Sequence, residues 1–273
     1  MKRSVFYISD RTGITAEMLG HGLLTQFQDI QFHAKILPFI DSVEKAEHAV
    51  KQINQAAEHD KARPLVFSTL IEAPLRNIIS QSNGLLLDFF ATFITPLEQE
   101  LKTAAQPVVG HAHGIGVYAN YKARIDAVNF ALTNDDGITS RNFPMADIIL
   151  IGVSRVGKTP TCLYLALHYG ILAANYPLTE EDMSSTHLPS SLQAYRNKLF
   201  GLTIDPMRLH QIRTERRSDS RYASPEQCEF EVRTVERIYN VEKIPFLDTS
   251  QVSIEEIATT ILQKTGLERR LHG

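Results

Sequence analysis

The 273 residues are 43% hydrophobic and 22% charged, ordinary globular usage that excludes a disordered tail protein, a collagen-like repeat and a disulfide-stapled miniprotein. Lys plus Arg number 28 against 31 Asp plus Glu, a formal charge of −3, so composition favours neither a nonspecific nucleic-acid binder nor a binder of anionic membranes. The length suits one large or two modest domains.

The near-neutral total conceals an uneven choice of cations. Residues 1–145 hold seven Lys and six Arg, whereas residues 146–273 hold four Lys and eleven Arg. Arg grips phosphate in a planar, bidentate manner, although solvated surface arginine accounts for the bias equally well. The apolar run Val5–Ile8 stops at Ser9-Asp10, too short for a secretion signal. The most apolar window, Gly84–Ile94, is interrupted by Asp88 and falls short of the roughly 18 residues that span a bilayer. Cys162 and Cys228 form no CxxC, so neither a disulfide framework nor a zinc ribbon is suggested, and a cytoplasmic setting is expected.

Along the chain, β-like runs alternate with helical patterns: Val5–Ser9 then Ala16–Phe27, Phe32–Ile40 then Val43–Glu58, Leu65–Thr69 then Leu75–Gln81. Gly84–Phe90 reads as a further strand and Pro96–Lys102 as a short helix with proline near its start. Residues 104–120 are rich in Gly, Ala and Pro and read as a surface connection, whose His111 and His113 are too few ligands for a metal site. Tyr121–Leu132 has helical spacing and ends in the turn-forming string Thr133–Gly137. Then come a buried-strand run at Ala146–Val153, a helix at Thr159–Tyr169, and strands at Leu199–Ile204 and Ile244–Leu247. Ser253 with Glu256 forms a capping box before a last helix. No internal repeat is visible. The pattern predicts an α/β protein: an amino-terminal α/β region with a parallel sheet over residues 1–140, followed by a P-loop kinase-like α/β domain over 141–273.

The segment that carries chemistry is Gly152-Val153-Ser154-Arg155-Val156-Gly157-Lys158-Thr159, a full match to GxxxxGK[ST] set between a strand and a helix. Its glycines let the backbone curl so that N–H groups face phosphate oxygens, and the helix N-terminus adds partial positive charge. Lys158 is expected to reach the terminal phosphates and Thr159 to meet Mg2+ bound to them. A guanine-reading NKxD is missing, because Asn197-Lys198 continues with Leu-Phe. Asp205 and Asp248 each follow a strand as candidate metal-organising acids, with helix capping as the alternative for both. Arg208, Arg213, Arg216, Arg217 and Arg221 cluster in residues 208–221, either as a lid that stabilises a transferring phosphoryl group or as a solvated helix face. A second candidate phosphate site is Ser9-Asp10-Arg11-Thr12-Gly13-Ile14-Thr15, which also lies between a strand and a helix, with a simple N-cap at Thr15 as the alternative reading.

The strings VFYISDRTGITAE, YKARIDAVNFALTNDDG, GVSRVGKTPTCLYLA, AANYPL, KLFGLTIDP, SRYAS and SIEEIA, in this order from about residue 4 to residue 270, resemble the pyruvate, phosphate/water dikinase regulatory proteins. Within that family the chain is more similar to the phosphoenolpyruvate synthase regulatory branch than to the pyruvate, phosphate dikinase branch. The resemblance implies a bifunctional serine/threonine kinase and phosphorylase. ADP-dependent phosphorylation of a dikinase threonine would inactivate the partner, and inorganic phosphate would reverse this with release of pyrophosphate. It places the nucleotide on Gly152–Thr159, with Mg2+ expected, and makes phosphoenolpyruvate synthase the partner. Lys158, Asp205 and Arg217 are the candidate catalytic residues. Homo-oligomerisation is left open. Arg11 departs from the family, which usually has a small residue there, and bears on phosphate binding by the amino-terminal loop. The rival readings are a small-molecule P-loop kinase using ATP and a nucleotide sensor without transfer activity.

Overall fold

The structure, a computed structural model, describes residues 2–105, 118–135, 141–216, 220–268 and 270. Two compact units divide the chain, residues 1–114 and 115–273. No helix among the described residues is long and apolar enough to cross a membrane.

The first unit alternates β1 (Lys2–Ile8), α1 (Ile14–Leu24), β2 (Gln31–Leu37), α2 (Val43–Asp60), β3 (Leu65–Ser68), α3 (Ala73–Ser80), β4 (Leu85–Asp88) and α4 (Phe89–Leu101). Its strands form one parallel sheet in the order β2-β1-β3-β4. Because successive strand residues face opposite ways, Phe6 and Ile8 join one core with Ala46, Ala49 and Ile53 of α2 and Leu75 and Ile79 of α3. Val5 and Tyr7 join another with Ala16 and Leu24 of α1, Phe67 and Phe89. Each such aliphatic side chain, fully buried, contributes about 1.5–3 kcal/mol. The expected strand through Phe90 stops at Asp88, whose Oδ1 accepts the Ala91 N–H at 2.9 Å and caps α4. That helix then runs through Pro96, so the short helix expected at Pro96–Lys102 is only the latter half of a longer one.

The second unit contains α5 (Tyr118–Thr133), β5 (Ile148–Gly152), α6 (Lys158–Tyr169), β6 (Ala173–Pro177), α7 (Ser190–Gln193), β7 (Leu199–Thr203), α8 (Pro206–Arg216), α9 (Pro225–Glu242), β8 (Phe246–Asp248) and α10 (Ile254–Thr265). The strands again run parallel, in the order β6-β5-β7-β8. Helix α6 packs against α5 and α10, α9 against β7, and α8 against α9. The sequence pattern grouped α5 with the amino-terminal region by placing the boundary at 140/141. Instead Ala127, Phe130 and Ala131 of α5 lie in the same core as Ile148, Ile149, Leu150 and Ile151. The apolar face of α5 has its burial partner on the carboxyl side, which puts the division between 114 and 115.

Tyr239 of α9 is buried beneath the central strands. Its hydroxyl donates to the Ile151 carbonyl at 3.0 Å, with the Leu202 carbonyl at 3.2 Å, and so joins β5 to β7. Desolvation, reinforced by Glu236, pushes the phenol well above its ordinary pKa and keeps it a donor. Gly201 makes room for this ring, since a Cβ there would sit 2.8 Å from it.

In the first unit the Ser4 N–H donates to Asp60 Oδ2 at 2.9 Å, and His59 Nδ1 lies 3.0 Å from Oδ1. Hydrogen bonding from Ser4 and then from His59 lowers the Asp60 carboxyl to about 2. Its folded pKa lies below the unfolded value of about 3.9, so its stabilisation is present above pH 4 and lost as pH falls through 2. Asp60→Asn is expected to lower the urea midpoint at neutral pH, and the difference from the parent is expected to shrink steadily below pH 4 in a pH series of unfolding curves.

Candidate active site

Strand β5 delivers Gly152 to the carboxyl edge of its sheet, a five-residue turn follows, and α6 starts at Lys158. Arg155 and Gly157 both take left-handed backbone conformations, φ +82° and +90°. This conformation is easy for glycine and costly for arginine. No side chain caps α6, whose start is the positive end of the helix dipole. Pro160 sits within that first turn, where a missing N–H removes no helical bond.

Lys158 is buried, and its ammonium donates to the Gly152 carbonyl at 3.0 Å and the Val153 carbonyl at 2.8 Å. The Thr159 hydroxyl donates to Asp135 Oδ1 at 2.8 Å. Asn175 of β6 completes a triad, because its Nδ2 donates to the same Asp135 oxygen and lies 3.2 Å from Thr159 Oγ1. The Asn175 N–H donates to the Asn134 carbonyl at 3.2 Å, which ties the end of α5 to the sheet and sets Asp135 over the start of α6. Burial, and secondarily the charge of Asp135, pushes the Cys162 thiol far above its ordinary pKa, so this cysteine is an inert packing residue.

The turn is also held from the other side. Arg213 of α8 is completely buried and donates through Nη2 to the Ser154 carbonyl at 3.2 Å and to Glu231 Oε2 at 2.6 Å. Its Nη1 donates to the Tyr222 carbonyl at 2.9 Å, and the guanidinium lies 4.0 Å from the centroid of the Tyr222 ring. The Tyr222 hydroxyl donates to Ser154 Oγ at 2.9 Å. Desolvation alone would lower the Arg213 pKa, but the hydrogen bond and charge of Glu231 outweigh it and raise the pKa. Thr249 adds a further tie, its hydroxyl donating to the Val156 carbonyl at 3.2 Å.

The residues singled out from the sequence therefore have different fates. Gly152 to Thr159 come together in one turn. Asp205 stands at the head of α8, where its Oδ1 accepts the Arg208 N–H at 2.9 Å, so its carboxylate is engaged as a helix cap. Asp248 Oδ1 accepts the Ser250 N–H at 2.8 Å and the Ser250 hydroxyl at 2.5 Å. Of the arginine cluster, Arg213 is a buried strut rather than a lid residue, Arg208, Arg216 and Arg221 are exposed, and Arg217 lies outside the described residues, as do His111 and His113. Among the described residues no group of three or more His, Cys, Asp or Glu side chains is placed to hold a metal ion.

Sequence reading missed Asp135, Asn175 and the Arg213–Glu231 pair. Asp135 was read only as part of a turn, and its partner is 24 residues away. A signal was available at Asn175, a buried amide in the otherwise apolar strand start Ala173-Ala174, since a buried polar group requires a partner.

This geometry defines an α/β protein in which a strand, a glycine turn and a helix follow one another at the carboxyl edge of a parallel sheet. The model of the kinase/pyrophosphorylase family matches residues 5–262, and the chain belongs to that family. Close relatives carry the name phosphoenolpyruvate synthase regulatory protein. The one from Ectopseudomonas mendocina (strain ymp) is 56% identical over 271 residues, covering 99% of this chain and 100% of its own. Those from Pseudomonas aeruginosa (strain LESB58) and Stutzerimonas stutzeri (strain A1501) are 56% and 55% identical, each over 99% of this chain and over 98% and 100% of their own lengths.

Breaking the buried ion pair tests the strut. Glu231→Gln leaves the Arg213 guanidinium buried without its counter-ion, an expected loss of about 3–5 kcal/mol in urea unfolding. An unchanged unfolding midpoint would show that Arg213 does not depend on Glu231.

Proposed function

We propose that the chain is an ADP-dependent protein threonine kinase and phosphate-dependent, pyrophosphate-forming phosphorylase that regulates phosphoenolpyruvate synthase, with its chemistry in the second unit, a P-loop kinase-like domain. The observation that carries this reading is the anion cradle with a buried lysine and a carboxylate-bonded threonine, Lys158 and Thr159–Asp135. The end-to-end similarity to relatives named for regulating phosphoenolpyruvate synthase supplies the partner. A small-molecule kinase would leave the amino-terminal unit, which the family match also covers from residue 5, without a purpose.

In the kinase direction, the bond between the β-phosphorus of ADP and its bridging oxygen breaks, a new bond forms to the threonine oxygen, AMP leaves, and the threonine proton must be taken up. Backbone amides of the turn and of the start of α6 hold the phosphates, and Lys158 exchanges its loop carbonyls for phosphate oxygens. Asp135, whose carboxylate accepts from the Thr159 hydroxyl at the start of α6, is the candidate acceptor for the hydroxyl proton. In the phosphorylase direction, phosphate attacks the phosphothreonine phosphorus, pyrophosphate forms, and the proton returns to the threonine oxygen. Hard oxygen donors suit Mg2+, which takes one or two protein oxygens and fills its other positions from phosphates and water. Thr159 would hold it, and it would neutralise charge on the phosphates.

Incubation with phosphoenolpyruvate synthase and ADP labelled at the β-phosphate is expected to put label on a threonine of the synthase, and added phosphate is expected to release it as pyrophosphate. No label with ADP, or label with ATP alone, would overturn the reading. A folded Lys158→Ala protein is expected to lose transfer in both directions. Asp135→Asn is expected to retain ADP binding while both rates fall by about 10²–10⁴-fold. A rate within twofold of the parent would remove Asp135 from proton transfer.

A further inference from the structure

The two units are built on the same plan, although the sequence shows no repeat. In each, the first strand is central, the second strand pairs on one side of it and the third on the other, and the fourth extends beyond the third. In each, the first strand leads through five residues into a helix: β1 ends at Ile8 and α1 starts at Ile14, as β5 ends at Gly152 and α6 starts at Lys158. Gly13 and Gly157 close these turns with nearly the same left-handed backbone, φ 82° ψ −2° and φ 90° ψ 14°. Neither helix is capped by a side chain. A threonine holds the second helical position in both, Thr15 and Thr159. At Gly13 a Cβ would also meet Ile36 Cγ2 at 2.8 Å, so the turn admits glycine alone.

Two differences set the chemistry. Ile14 occupies the place of Lys158, so the cation that reaches along a chain of phosphates is missing. Asp10 occupies the place of Ser154 and is about nine-tenths buried. Its Oδ1 is 3.5 Å from the Ser9 hydroxyl, which in turn accepts the Arg11 N–H at 3.2 Å, so the carboxylate is folded over the turn itself. Its Oδ2 is buried and has no hydrogen-bond partner among the described residues. A buried carboxylate oxygen requires a donor. Beside the uncapped N-terminus of α1, whose positive end favours an anion, the ligand that satisfies both demands is an anion that still carries a proton.

We propose that the turn Ser9–Thr15 is a second anion site, specific for inorganic phosphate as the monohydrogen dianion, with the amides of α1 on its unprotonated oxygens and Asp10 Oδ2 accepting from its P–OH group. Ser68 and Thr69, buried at the carboxyl end of the adjacent strand β3, flank the site at the point where strand order reverses. Sulfate, of the same size and charge but without a proton at neutral pH, leaves the Asp10 oxygen unsatisfied and is rejected. The site is independent of the cradle in the second unit and stands whether or not that cradle transfers phosphate.

The test is a titration of the isotopically labelled full-length Lys158→Ala protein with sodium phosphate and, separately, sodium sulfate at neutral pH and constant ionic strength, read by the amide resonances of Gly13, Ile14 and Thr15. Saturable shifts with phosphate, and at least tenfold weaker response to sulfate, are expected. Asp10→Asn can donate to either anion, so it is expected to bind both with the discrimination lost. Thr15→Val, which leaves the backbone cradle in place, checks that shifts at Gly13 and Ile14 do not depend on fold disruption. Shifts confined to Gly157 and its neighbours, or equal response of the parent residues to phosphate and sulfate, would overturn the proposal.

Discussion

Parallel strands present all their carboxyl ends on one edge of a sheet, and when the first strand is central the chain must leave it in opposite directions, first to one neighbour and later to the other. The gap this opens above the first strand is where a turn can meet a ligand without being covered by the next connection. Everything notable in the second unit depends on keeping that gap in register. Tyr239 does this from below by holding the carbonyls of Ile151 and Leu202 at once. Arg213 and Thr249 do it from the flanks by occupying the carbonyls of Ser154 and Val156. The cradle is therefore fixed by donors drawn from α8, α9 and the segment after β8, and not by the eight residues of the motif alone.

This explains which parts were legible in the sequence. The motif was visible because phosphate binding by backbone amides demands glycines at a set spacing, and β1 and β5 were visible as apolar runs because parallel strands are covered on both faces. The capping box at Ser253 and Glu256 was equally plain, since both partners lie within one turn and both of its hydrogen bonds are present. Asp135 was opaque because its meaning comes from Thr159 and Asn175, which are distant in sequence. Arg213 was misleading for the opposite reason. It lies among exposed arginines in the chain, and only the placement of Glu231 and Tyr222 by other segments makes it a buried strut. Asp205 shows that an acid after a strand is ambiguous, because the same position begins a helix and serves its cap.

The shared plan of the two units was hidden for a related reason. What they have in common is strand order, turn length and one left-handed glycine, features that constrain backbone far more than side chains. With Ile14 against Lys158 and Asp10 against Ser154, the residues between differ where the ligands would differ. On the two readings proposed above, similar scaffolds would carry different chemistry by changing only the side chains that border the turn.

The inward hydrogen bonds of Lys158 have a consequence for how affinity is read. An ammonium already held by two backbone carbonyls is not idle before a ligand arrives, so on the proposed reading a nucleotide would swap one set of bonds for another. A lysine stored in this way would offer an anion less net binding than a solvated ammonium of the same reach, because the carbonyl bonds it gives up are subtracted from the bonds it gains.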